Sequence, residues 1–108
     1  MRTLAAALMI TVVSAAAANA QPSRLSDTAY LQAARCVGLA TSPRMNAADA
    51  KTMSEWLRDQ SAGRPGFVLD RADEMKREAR RQADHAGDPT IKAKLDAELQ
   101  SMCVQLRA

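Results

Sequence analysis

The stretch Ser26-Asp27-Thr28-Ala29-Tyr30-Leu31-Gln32-Ala33-Ala34-Arg35-Cys36-Val37-Gly38-Leu39-Ala40 decides the fold class. Its first residue is a good helix cap, because a serine hydroxyl can accept one of the unpaired amide protons at a helix start. Asp27 adds a negative charge where the helix dipole is positive. Tyr30, Ala33, Ala34, Val37 and Ala40 then recur every three or four residues, the spacing of one helical face, and Cys36 lies beside that stripe. Thr41-Ser42-Pro43 ends the helix.

Working outward, three more segments carry the same period. A second helix begins at Ser42 or at Asn46, each a plausible cap, and presents Ala50, Met53, Trp56 and Leu57. Gly63 stops it, and Arg64-Pro65-Gly66 makes the turn. A third starts between Pro65 and Phe67 with Val68, Ala72, Met75, Ala79 and Ala83 on one face, and Gly87 closes it. Asp88-Pro89 opens the fourth in the order that helix starts prefer, and its stripe is Ile91, Leu95, Leu99, Met102 and Leu106. Strands have little material: Val, Ile and Thr total eight of the residues from Gln21 onward, and no stretch alternates apolar with polar for long. The sequence therefore reads as all-α, a small four-helix bundle-like domain over 21–108 with a flexible lead-in at about 21–26.

The N-terminus has a different character. Met1-Arg2 is a short positive start, Leu4 to Val13 is apolar apart from Thr11, and Ala18-Asn19-Ala20 offers small residues at a cleavage site before Gln21. Residues 1–20 read as a cleavable signal peptide, and the apolar run is short and Ala-rich for a membrane anchor. Gln21 in place of a cysteine leaves no thiol for lipid attachment, so no stable membrane anchor is expected after cleavage. The expected location is periplasmic or extracellular.

In the 88 residues that follow, 36 are apolar but 15 of those are alanine, leaving 21 larger side chains for a core. So thin a core calls for a covalent tie. Cys36 and Cys103 are the two cysteines, and an exported setting favours their pairing, which joins the first helix to the last. A redox pair or metal site is disfavoured, since there is no Cys-x-x-Cys and His85 is the single histidine.

Candidate sites are few. Lys76, Arg77, Arg80 and Arg81 could bind anions, although Asp73 can pair with Arg77 and Asp84 with Arg80. The segment from Gln21 carries only +2, from 14 basic and 12 acidic residues. Nucleic acid is disfavoured by export and by a lack of aromatics among the basic residues. Met45, Trp56 and Phe67 lie near helix ends or stripe edges and are the candidate protein contacts, whereas Met53, Met75 and Met102 sit on apolar stripes and read as core. His85, near the end of the third helix, has no oriented partner, and no catalytic constellation, metal site or cofactor motif is expected. The sequence points to an exported, non-enzymatic module that binds an envelope or extracellular protein. The alternative is a pH-responsive stress chaperone or anionic-surface binder using the third helix.

Overall fold

A computed structural model describes residues 24–107; the signal-peptide reading of residues 1–20 lies outside them. All regular structure among the described residues is helical: α1 (Asp27–Ala40), α2 (Ala50–Gln60), α3 (Gly66–Asp84), α4 (Pro89–Glu98), a π-helical turn (Leu99–Cys103) and α5 (Val104–Arg107). The backbone stays helical at Glu98 and Val104, so the last three pieces form one C-terminal helix.

The local signals act as their chemistry requires. Ser26 Oγ accepts the Ala29 amide at 3.1 Å and Asp88 Oδ1 accepts the Thr90 amide at 2.8 Å, with Pro89 opening α4. Gly63 adopts φ +75°, a left-handed conformation that glycine enters without Cβ strain, and α2 ends beside it.

Two boundaries differ from the sequence expectation. Neither Ser42 nor Asn46 starts α2, which begins at Ala50. Ser42 is buried and its hydroxyl donates to Asp84 Oδ1 at 2.6 Å, while Asn46 has φ +50°, a turn conformation and not a cap. Between them Met45 folds inward at 6% exposure. The third helix stops at Asp84, three residues before Gly87, where the Ala86 amide turns back to the Ala83 carbonyl at 3.2 Å and the Ala86 side chain is buried in the core.

α1 is the central helix. Its C-terminal half is buried all round, from Cys36 to Ala40. One cluster joins Tyr30, Ala33, Ala34, Val37 and Ala40 to Met53 and Leu57 of α2, Val68 and Ala72 of α3, and the two cysteines. A second gathers Met45, Ala79, Ala83, Ala86 and Leu95 around Leu39. The apolar stripes of α1, α2 and α3 are thus the core, with Met53 buried in the first cluster and Met102 packed against it. Met75 is half-buried outside both clusters, and Ile91 is 48% exposed, so the α4 stripe reaches the core only from Leu95 onward.

Three ties hold the layers together. Cys36 and Cys103 form a disulfide with Cα atoms 5.7 Å apart, linking the first helix to the last. Cys103 is the last residue of the π-helical turn and is buried in the first core cluster. Next to it, Arg35 grips Glu98 with two bonds of 2.7 and 3.1 Å and donates a third to Gln82 at 2.9 Å, joining α1, α3 and α4. At the other end of α1, the buried Arg64 guanidinium donates to the Gln60 carbonyl, Asp27 Oδ1 and the Leu25 carbonyl, each at 2.7 Å. Residues 24–26 of the lead-in are held by that arginine, by Leu25 N–H on Gln60 Oε1 at 3.1 Å and by Arg24 on the Ala62 carbonyl.

Candidate functional site

α2 and α3 both pack on α1, whereas α2 and α3 scarcely touch each other. The space between them is a groove of about 510 Å³, walled by two helices and floored by a third. From α3 come Leu69, Asp73, Lys76, Arg77 and Arg80, whose spacing of four, three, one and three residues puts them on one side of the helix. From α2 and its C-terminal cap come Ser54, Leu57, Arg58 and Ser61, which share a face by the same rule. Tyr30 and Val37 of α1 and Thr41 at its C-terminal cap lie below.

Apolar side chains thus form the deep part, since Tyr30, Val37 and Leu57 are buried, and charges stand at the lip. Four of those charges are positive, Arg58, Lys76, Arg77 and Arg80, against the single carboxylate of Asp73. Asp73 approaches Lys76 at 3.8 Å, not Arg77. Arg80 lies 3.9 Å from Asp84, the carboxylate that also accepts the Ser42 hydroxyl. Arg58 and Arg77 have no ion-pair partner among the described residues, and both are exposed. Their charges are therefore available to an incoming anion.

The serine and threonine hydroxyls around the groove are occupied by nearby carbonyls of their own segments. Ser54 donates to the Ala50 carbonyl at 3.0 Å, Ser61 to Arg58 at 2.5 Å and Thr41 to Gly38 at 3.1 Å. Tyr30 lies with its ring 4.3 Å from the Arg64 guanidinium. Burial pushes its phenol above the ordinary value of 10.0; the Arg64 charge opposes that shift and Asp73 adds to it. These groups shape an apolar and cationic recess, with chemistry suited to recognition.

The sequence candidates distribute as follows. Lys76, Arg77 and Arg80 converge on the groove, but Arg81 is on the neighbouring face of α3 with Glu74, Glu78 and Asp84. There Arg77, Arg80 and Arg81 meet three carboxylates, so that side is balanced in charge. Met45, Trp56 and Phe67 do not come together. Met45 is in the second core cluster, which removes it as an exposed contact. Trp56 is half-buried against the first cluster, two residues from Ser54 and so on the opposite side of α2 from the groove. Phe67 is 75% exposed, but it is two residues from Leu69 and so faces away as well. His85 caps α3 in solvent. Among the described residues no group of three or more His, Cys, Asp or Glu side chains is placed to hold a metal ion.

Sequence reasoning missed Arg58 and Tyr30 as site residues. Arg58 sits in a helix whose other charges, Lys51, Glu55 and Asp59, are unremarkable, and its value comes from a wall 18 residues away in sequence at Lys76. The chain matches no protein-family model, and comparisons with curated proteins and with solved structures return no significant match.

Proposed function

We propose that the protein is an exported, non-enzymatic binding module for another protein, and that the groove between α2 and α3 is its recognition surface. The observation that carries this reading is the pairing of a buried apolar floor with exposed arginines on opposite walls, Arg58 on α2 and Arg77 on α3, that have no ion-pair partner among the described residues. Export is supported by the signal-like residues 1–20 and is compatible with the Cys36–Cys103 disulfide. No helix among the described residues is long and apolar enough to cross a membrane.

Binding to an anionic surface through α3 alone has weaker support. Arg77 and Arg80 border the groove and, with Arg81, a face of α3 that also carries Glu74, Glu78 and Asp84, so among the described residues α3 offers no flat, purely cationic patch of the kind a membrane or polymer surface needs.

The test is affinity recovery from the native envelope with the disulfide-bonded protein, beside a reduced and alkylated control and a Ser54→Trp variant that fills the groove from the α2 wall. A stoichiometric partner retained by the native protein and lost by both controls is expected. Recovery of the same proteins by Ser54→Trp at full yield would discard the groove as the surface.

A further inference from the structure

Resting on the groove as a protein-binding surface, we infer that its occupant is an acidic amphipathic helix of two to three turns supplied by the partner. Three features of the recess select that chemistry.

The first is shape. The α3 wall from Leu69 to Arg80 runs 11 residues, or about 16 Å at the helical rise, and the α2 wall from Ser54 to Ser61 runs about 10 Å. Two helices on a common floor, with none of the described residues between them, leave the place that one more helix would take in a bundle.

The second is backbone satisfaction. The walls are helices, so their main-chain groups are largely committed to helical bonds, and the Ser54, Ser61 and Thr41 hydroxyls are bonded to nearby carbonyls. An extended peptide pressed into such a slot would find no strand edge to pair its run of amides and carbonyls, whereas a helix satisfies them internally.

The third is charge. Cations stand on both walls, Arg58 on one and Lys76, Arg77 and Arg80 on the other, with apolar side chains between. A helix with a narrow apolar stripe flanked on each side by carboxylates meets all three zones at once. A small amphiphile with one head group engages one wall, and a membrane surface cannot reach the floor of a concave slot.

Three labelled 14-residue probe peptides test this by fluorescence anisotropy against the purified, disulfide-bonded protein. One has a leucine stripe at helical spacing flanked by glutamates, one has the same stripe flanked by lysines, and one is a scramble of the first. The glutamate helix is expected to bind at least about ten-fold more tightly than either other peptide. The double variant Arg58→Glu with Arg77→Glu should reverse that order; both side chains are exposed and make no ion pair among the described residues, so the fold should survive, as a thermal melt would verify. Equal binding of the three peptides, an order indifferent to the double charge reversal, or displacement of the glutamate helix by phosphatidylglycerol vesicles overturns the inference. If Ser54→Trp abolishes capture of a native partner while the glutamate helix shows no preference, the groove reading stands and only the helical, acidic occupant falls.

Discussion

Gly38 of α1 lies directly against the Lys76 carbonyl of α3: a Cβ built on Gly38 would overlap that oxygen and stand 2.9 Å from the Ala79 Cβ. The two helices meet here through small residues, Gly38 on one side and Ala79 on the other, so their backbones approach closely. This contact sets the position of the α3 wall, because Lys76 and Arg77 sit on the turn that Gly38 touches.

Gly38→Ala should therefore destabilise the fold although alanine is the better helix former. The propensity gain is about 1 kcal/mol, and overpacking costs about 1 to 3 kcal/mol, toward the upper end where the obstacle is a backbone carbonyl that cannot rotate away. Gly66→Ala, with open space around its Cβ, is the control and should be neutral or slightly stabilising. Urea midpoints would decide: a Gly38→Ala midpoint equal to or above the native one would mean that α3 can shift freely.

Arg64 is expected to be the most sensitive polar residue. Its guanidinium satisfies two backbone carbonyls and Asp27 while lying over the Tyr30 ring, and its side chain is 2% exposed. Arg64→Ala leaves the Gln60 and Leu25 carbonyls without that donor and should cost about 2 to 3 kcal/mol. Arg64→Lys should rescue little, since one ammonium cannot reproduce the planar fork. Loss of hydrogen-exchange protection at the Leu25 and Tyr30 amides would report release of the lead-in, and unchanged protection in Arg64→Ala would count against the clamp.

Tyr30 is the chain's one tyrosine, so an ultraviolet pH titration reads it alone. Burial holds the phenol protonated, and its midpoint in the folded protein should lie above 10.0, falling back to that value in strong urea. A raised folded pKa means the contribution to stability is complete below the unfolded pKa and is lost as pH rises through the folded one. Stability should accordingly decline on the alkaline side of pH 10, and less so in Tyr30→Phe. A native midpoint at or below 10.0 would show that Arg64 outweighs burial.

Much of this architecture is legible in the chain because it rests on local chemistry. The caps at Ser26 and Asp88, the stop at Gly63 and the periodic stripes of α1, α2 and α3 each express a rule that acts within a few residues. The Cys36–Cys103 tie was open to inference because there is one way to pair two cysteines. What the sequence conceals depends on distant partners. Ser42 looks like a cap until Asp84 claims its hydroxyl, Arg64 looks like a turn residue until Leu25 and Asp27 surround it, and Gly38 looks incidental until Lys76 arrives. The groove is hidden for the same reason: Arg58 and Arg77 acquire a joint role only when α1 holds their helices apart.

The disulfide and the Arg35–Glu98 pair tie α1 to the C-terminal helix side by side, and they should fail in sequence. The crosslink spans 67 positions, and the chain-entropy model assigns such a loop roughly 4 kcal/mol. The ion pair is bidentate but a quarter exposed on each side, so solvent screening limits it to about 1 kcal/mol. Cys36→Ala with Cys103→Ala should lower stability by roughly the larger amount, and Glu98→Gln in the oxidised protein by the smaller. In the cysteine-free chain Glu98→Gln should cost more than in the oxidised one, because the ion pair is then the remaining polar link between α1 and the last helix. Arg35 also donates to Gln82 of α3 through its Nη1, so hydrogen exchange in 89–107 should rise first and exchange in α3 second. A cysteine-free protein within about 1 kcal/mol of the native one would instead place the strength of this joint in the packing of Leu95, Leu99 and Met102.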